Sequence, residues 1–371
     1  MGAPPSGGFF RSLKLVESKP RQSLIPQCGL CGLFRKCQSP KMEVDGEGKK
    51  EILICGEGPG RFEDESGHPF VGESGQLLER TLAKFDVDLR KDCWITNAII
   101  CRASSNEGKN RAPTDKEVGY CRPNVVKAIT ELKPKVVIPL GGPAVKSVIG
   151  WLWKEDVGLI SRWDGWQVPS QKINAWVTPT WHPAYILRSD YGVSQKENDV
   201  RRLFFESHLK AAVRKTERPW KVVPDWGKMV KVELDPDRAA LDLEVILGSK
   251  LPTAVDFETN CLKPDSSRAR IVSCAVSNGE MTVSFPWHGA ARKAVRRIIE
   301  SNLPKICSNC KFEIRWSQKE FGTFGRNWAF DTMIAAHVLD CRPEISSIKF
   351  QAFVCLGVDL WDEEVKGYFD S

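Results

Sequence analysis

This sequence of 371 residues lacks several features that would classify it quickly. No apolar run is long enough to cross a bilayer, so no membrane-spanning helix is expected. The opening decapeptide MGAPPSGGFF has neither a basic n-region nor an apolar h-region, which argues against secretion and for a cytoplasmic location. It fits the acylation pattern Met-Gly-x-x-x-Ser, yet nothing else points to a membrane, and residues 1–27 read as a flexible arm. Neither charge sign dominates. The 54 Lys and Arg against 47 Asp and Glu leave +7, which permits a nucleic-acid partner without demanding one. Histidine is scarce, at five residues, so imidazole chemistry has few places to sit. No internal repeat is present, which excludes solenoid architectures.

Cysteine is plentiful, at 13. In a reducing compartment, clustered thiols point to a metal site rather than to disulfides. "CGLC" spaces Cys28 and Cys31 as half of such a site, with Cys37 a spare nearby. "CSNC" (Cys307, Cys310) has no second half close by and reads as buried thiols around a strand.

Short apolar segments alternate with amphipathic ones. "EILICGEG", "CWITNAIIC", "PKVVIPLGG" and "AWVTPTWHP" read as strands. "GQLLERTLAKF" and "TDKEVGYCRPNVVKAITEL" read as helices, the second capped by Thr114 with Glu117 in the capping-box position. A final helix runs to about Lys215. The pattern predicts a mostly parallel α/β domain over 28–216. The Pro- and Trp-rich stretch 217–227 reads as a linker. A second unit over 228–371 holds the strands "MVKVEL", "PTAVDFETN", "RIVSCAVSN", "EMTVSFPW" and "PKICSN". It also holds a basic helix and helices from Phe312, Thr332 and Ser347. The basic runs 201–218 and 291–300 read first as solvated helix faces.

The loop "GEGPGRFEDESGHPF" begins on a strand and turns on glycines, as a phosphate cradle does. It is not one. The third glycine of a dinucleotide fingerprint is replaced by Arg61, and no G-K-[ST] follows. Glu57, Glu63, Asp64 and Glu65 repel phosphate, and Pro59 removes a backbone donor. Phe70, between Pro69 and a second glycine turn, is costly in a surface loop unless it packs on something, and a flat apolar ligand would suit it. In the second unit, "AVDFETN" puts Asp256 and Glu258 on one strand face, because side chains repeat every two residues. Two such carboxylates can hold two divalent cations for phosphodiester hydrolysis.

"GEGPGRFEDESGHPFVGESGQLL", "ITNAIICR", "NRAPT" and "WHPAYILR" occur in the order found in family 4 uracil-DNA glycosylases. The resemblance covers about Cys28 to Lys215. It implies a four-strand parallel α/β fold, a [4Fe–4S] cluster, and excision of uracil from single- or double-stranded DNA. Cys28, Cys31, Cys101 and Cys121 match the ligand positions. Four thiolates suit iron–sulfur or zinc chemically, and the resemblance favours the cluster. The resemblance further implies that Phe70 is the stacking floor for a flipped base and that Asn97 reads its edge. An amide offers both a donor and an acceptor, as O4 and N3–H of uracil require. Gly56 and Gly58 line the same site. His182 is the donor aimed at the charge forming on O2. Glu57 orients a water or balances the sugar cation, and Gly58 stands where other uracil glycosylases carry an aspartate. His68 lies where it could touch DNA, and Tyr185 and Leu187 where they could wedge the duplex.

From about Lys228 onward, "AVDFETN", "CSNCKFEIRW", "AFDTMIAAHVLD" and "SSIKFQAFVCLGV" resemble the 3′–5′ exonuclease domain of family A DNA polymerases, an RNase H-like (DnaQ-type) fold. This implies Mg²⁺ or Mn²⁺ at Asp256, Glu258 and Glu313. Glu313 stands where the family has Asp, and Asp331 reads as an acid at a helix N-terminus or supporting the ligands rather than as a ligand itself. The family's last motif, a Tyr with an Asp shortly after, is not matched by Tyr368 and Asp370, so the exonuclease domain reads as cut short. The expectation is the N-terminal part of a bacteriophage-type polymerase, acting in a bacterial host, with a downstream polymerase domain. The alternative is a non-cleaving sensor of uracil or a modified base, or a DNA-docking module.

Overall fold

The strand-and-helix alternation of the sequence is realised twice. In this computed structural model, residues 25–153, 156–188, 195–217 and 222–358 are described, without the side chains of 195–199. Residues 1–24 of the expected arm, 218–221 of the expected linker, and Tyr368 and Asp370 lie outside the described residues. The chain divides near residue 220 into two compact units. Among the described residues no helix is long and apolar enough to cross a membrane.

The first unit opens with a single helical turn, α1 (Cys28–Cys31). Strand β1 (Ile52–Gly56) follows, every residue buried, which is why it reads as an unbroken apolar run. Next come α2 (Arg61–Ser66), α3 (Glu73–Ala83), β2 (Cys93–Asn97), α4 (Asp115–Leu132), β3 (Val136–Pro139) and α5 (Gly142–Leu152). The unit closes with β4 (Val168–Ser170), β5 (Ala175–Val177), α6 (Pro183–Arg188) and α7 (Gln195–Val213). The capping box of α4 is formed: Glu117 N donates to Thr114 Oγ1, and Thr114 N donates to Glu117 Oε2 at 2.7 Å. The sheet order is β2-β1-β3-β5-β4. Its first four strands are parallel, in keeping with the four-strand expectation. The fifth, β4, was not expected and runs antiparallel to β5. It is three residues long and contains Pro169, a composition that fits only an edge.

The second unit runs α8 (Trp226–Met229), β6 (Val230–Val232), α9 (Pro236–Ser249), β7 (Thr253–Thr259), β8 (Ile271–Ser277) and β9 (Thr282–Pro286). Then come α10 (Gly289–Glu300), β10 (Lys305–Cys307), α11 (Cys310–Phe321), β11 (Trp328–Asp331), α12 (Thr332–Leu339) and α13 (Ile348–Leu356). Its sheet order is β11-β10-β7-β8-β9-β6. Strand β7 is therefore interior, and its alternation is strict: Val255 and Phe257 are buried, Asp256 and Glu258 are not. The apolar face packs with Leu243, Ile246, Val295 and Ile298 of α9 and α10. The three arginines of α10 are ion-paired, Arg292 with Glu320, Arg296 with Glu300 and Arg297 with Glu244. Two sequence expectations change here. Strand β11 was not anticipated, because its four residues at a sheet edge show no apolar alternation. Cys307 and Cys310 are joined as a disulfide rather than standing as separate thiols. The turn between β10 and α11, with Asn309 at φ +66°, brings their Cα atoms to 5.3 Å, within disulfide reach.

Candidate functional site

The strand order of the first sheet reverses direction between β1 and β3, and in open parallel sheets the crevice at that point is where ligands sit. The expected site residues converge there. Gly56 ends β1 and Asn97 ends β2, Glu57 follows Gly56, Gly141 follows β3, and His182 follows β5. A Cβ on Gly56 would stand 2.4 Å from Asn97 Oδ1 and 2.7 Å from the Phe70 ring. The missing side chain thus lets the amide and the ring meet. Gly58 is different. A Cβ there would strike Ile99 Cγ1 at 2.6 Å, so its bareness answers to Ile99 rather than to the Phe70 ring.

Phe70 adopts φ +57°, a left-handed backbone that a bulky residue takes only when its surroundings impose it. Three contacts do so. Arg90 Nη2 donates to Pro69 O at 2.6 Å and Phe70 O at 3.3 Å, while its Nη1 pairs with Asp45 at 2.5 Å. Glu63 bridges the two ends of the loop, accepting from Gly60 N and Gly72 N at 3.0 Å each. Gly75 of α3 lies directly beneath, where a Cβ would be 1.8 Å from Phe70 O. Glu63 is thus spent on backbone amides. Asp64 is buried, accepting from Gln38 N and Ser39 N at 3.0 Å each.

The Phe70 and His182 rings lie 5.7 Å apart and 27° from parallel. His182 Nδ1 accepts from the Ala184 backbone N–H at 3.1 Å, which assigns the ring proton of the neutral form to Nε2. Burial, with Arg188 adding to it, pushes the His182 pKa down to about 4, so the ring is neutral at pH 7. Burial raises the Glu57 carboxyl, and Arg188 opposes the rise. Gly141, at φ +87°, leaves room for both: its Cβ would stand 2.2 Å from Glu57 Oε1 and 2.9 Å from His182 Cβ. Among the other expected residues, Tyr185 stacks on Trp181 at 4.6 Å with the Arg201 guanidinium over its ring, so it is held rather than free to insert. Leu187 is half-buried. His68 is exposed, 3.3 Å from Asp45.

Arg90, Gly141 and Arg188 were not singled out from the sequence. Two of them carried a signal: the Gly-Gly pair after an apolar strand, and an arginine one helical turn beyond the His-Pro motif.

Cys28, Cys31, Cys101 and Cys121 line one apolar cavity, with Leu33, Ile99 and Tyr120 among its walls. Burial, with the neighbouring cysteines adding to it, pushes the Cys101 and Cys121 thiols up to about 12 and about 11. Lys41 N and Ile100 N donate to the sulfurs of Cys101 and Cys121 at 3.3 and 3.4 Å, and Asn124 Nδ2 also donates to Cys121 Sγ at 3.4 Å. Four soft donors around a dry cavity, with N–H groups aimed at sulfur, fit a group bound through thiolates. Cys37 stands beside Cys101, and its Sγ donates to Leu33 O and Arg102 O.

In the second unit, burial first and then the charges of Asp256 and Asp331 push the Glu313 carboxyl up to about 8. It is 2% exposed, and its Oε2 has no hydrogen-bond partner. Asp256 and Glu258 are raised by desolvation, Glu258 also by Asp256. Asp331 is fully used. It accepts from Asn309 N, Cys310 N, Met333 N and Ile334 N, and these bonds hold it below the usual carboxylate range although burial pushes it up. It caps α12, as expected. An orphaned buried carboxylate oxygen beside two crowded acids fits a cation that would relieve them. Among the described residues no three His, Cys, Asp or Glu side chains stand at the spacing of a closed metal site.

Comparison with known proteins agrees with this division. Residues 44–206 match the uracil DNA glycosylase superfamily, and residues 234–366 match a 3′–5′ exonuclease family. The type-4 uracil-DNA glycosylase of Pyrobaculum aerophilum is 33% identical over 191 residues, 51% of this chain and 94% of that protein. Those of Saccharolobus solfataricus and Thermotoga maritima are 34% and 32% identical over 46% and 45% of this chain, and 81% and 80% of their own. Among solved structures, Escherichia coli RNase D is similar at 16% identity and a TM-score of 0.30, over 36% of this chain and 35% of its own. The chain belongs to the type-4 uracil-DNA glycosylase family through its first unit and carries a 3′–5′ exonuclease domain as its second.

Proposed function

We propose that the first unit excises uracil from DNA by hydrolysing the bond between C1′ and N1. The observation that carries this is the meeting of the Phe70 ring, the Asn97 amide and a neutral His182 protonated on Nε2 in one crevice. The target nucleotide leaves the stack and its base lies on Phe70. Asn97 pairs with O4 and N3–H. As the C1′–N1 bond breaks, its electron pair goes to the base, negative charge collects on O2, and His182 Nε2–H donates to it. Glu57 faces the positive charge left on the sugar and orients the water whose oxygen bonds C1′. The proton of that water goes to the departing base.

The cofactor of this reading is a [4Fe–4S] cluster on Cys28, Cys31, Cys101 and Cys121. Bound there, it supplies a structural tie between the N-terminal turn and the loop after β2. For the second unit the reading is metal-dependent 3′–5′ exonuclease chemistry with Mg²⁺ or Mn²⁺ on Asp256, Glu258 and Glu313. The orphaned Glu313 Oε2 supports it. A glycosylase joined to a proofreading-type domain fits DNA replication, with a polymerase as the partner in the natural chain.

The test is a uracil-containing oligonucleotide, incubated with the protein and then treated with alkali. Strand breakage at uracil is expected. Tight, uracil-selective binding without breakage would replace excision by sensing.

A further inference from the structure

Among the described residues the crevice is bordered by a cation, Arg188, that the reaction above does not use. Arg188 ends α6, and its Nε donates to Ala184 O at 3.2 Å. Ala184 in turn gives its N–H to His182 Nδ1, so the arginine and the histidine are fixed on the same turn of chain. Arg188 is exposed, and among the described residues its two terminal nitrogens make no hydrogen bond or ion pair. Its charge reaches both Glu57 and His182. A guanidinium anchored through Nε, with both Nη groups unpaired among the described residues, presents the fork that suits an oxyanion. The reaction also calls for an anion there. An uncompensated cation beside a sugar that is becoming positive raises the barrier, and an incoming anion removes that penalty. Every nucleotide entering the crevice brings such an anion with it.

We propose that Arg188 binds a phosphodiester of the strand that carries the target nucleotide, next to the flipped residue. This rests on the reading that uracil-containing DNA enters the crevice, not on its being cut. Arg188 is a positioning residue: it holds the strand so that the sugar stands between Glu57 and His182, and the phosphate neutralises its own charge.

The experiment needs no variant for its first arm. The intact protein is given uracil oligonucleotides in which one phosphate at a time is a neutral methylphosphonate. Binding is expected to weaken about tenfold or more at a phosphate adjoining uracil. Substitution several nucleotides away is expected to change little. In the second arm Arg188→Gln weakens binding to the native oligonucleotide by a similar factor. It also lowers the slope of log K against log salt by about 0.9 on duplex DNA. The same variant is then indifferent to the adjoining methylphosphonate, and Arg188→Lys recovers part of the loss. Inorganic phosphate at millimolar concentration is not expected to replace the strand. Losses from variant and methylphosphonate that simply multiply, an unchanged salt slope, or equal sensitivity at every phosphate would each overturn the proposal. Abolished excision with these binding effects intact would sink the hydrolytic reading and leave the phosphate site standing.

Discussion

The backbone N–H of Ala184 lies 3.1 Å from Nδ1 of His182, and that contact decides which ring nitrogen can donate. With Nδ1 occupied as an acceptor, the neutral ring carries its proton on Nε2. His182→Ala is expected to lower the excision rate by about 10²–10³, the usual cost of one oxyanion donor. Single-turnover assays measure it. An undiminished rate would remove His182 from the mechanism.

The same residue sets a pH expectation. Its folded pKa of about 4 lies below the ordinary 6.5, so between those values the unfolded chain binds the extra proton and the folded one does not. His182 therefore costs stability as pH falls from 6.5 toward 4, and no cost arises above 6.5. Thermal melts at pH 5 and pH 7.5 are expected to differ less in His182→Ala than in the parent. The excision rate is expected to show no inflection near pH 6.5.

Phe70 owes its position to groups that never touch a base. Gly75→Ala pushes a methyl into Phe70 O at 1.8 Å, a backbone clash that a rotamer change cannot relieve. It is expected to cost on the order of 2–4 kcal/mol and to displace the ring. Arg90→Gln leaves the fold but frees the carbonyls of Pro69 and Phe70. Its loss is expected mainly in KM, because a loose stacking floor weakens base capture. Steady-state kinetics separate the two, and a pure kcat effect in Arg90→Gln contradicts the bracing role.

How much of this was legible beforehand depends on the kind of interaction. Buried parallel strands announce themselves as apolar runs, so β1, β2, β3 and β5 were readable, whereas β4, though buried, is three residues long and holds a proline, and the edge strand β11 buries too little to leave a pattern. Asp256 and Glu258 followed from a two-residue period alone. Phe70 stood out as an aromatic set in a glycine-rich loop, but Asn97 and His182 could be ranked only through the resemblance, since a lone amide or imidazole is ordinarily structural. Arg90 was illegible, and Gly141 showed only as half of a Gly-Gly pair. Arg90 acts across 20 residues on the Phe70 carbonyl, and Gly141 acts by a missing atom. The acids of the glycine loop show the converse limit. Charge predicted repulsion of phosphate, but not that Glu63 and Asp64 are spent on backbone amides.

The cysteine cavity predicts a graded response. Cys101→Ala and Cys121→Ala each remove a donor whose sulfur already receives an N–H bond, and both are expected to lose the cofactor and lower the melting temperature. Cys37→Ala, outside the cavity lining, is expected to keep both. An iron–sulfur cluster gives a broad thiolate–iron absorbance near about 400 nm in anaerobically purified protein, and a colourless, zinc-loaded protein would contradict it.

The last prediction concerns Glu313, whose pKa of about 8 exceeds the ordinary 4.5. Between these values the folded chain holds a proton that the unfolded chain releases, so without cations stability falls as pH rises from 4.5 toward 8. Glu313→Gln cannot ionise, and its second unit is expected to be the more stable one at pH 8 when EDTA is present. A cation reverses the order, because it needs the carboxylate and competes with that proton. Mn²⁺ is therefore expected to raise the parent's melting temperature more at pH 8 than at pH 6, and to leave Glu313→Gln nearly unmoved. A Mn²⁺ shift equal in parent and variant would remove Glu313 from the cation site, leaving Asp256 and Glu258 to hold any metal alone.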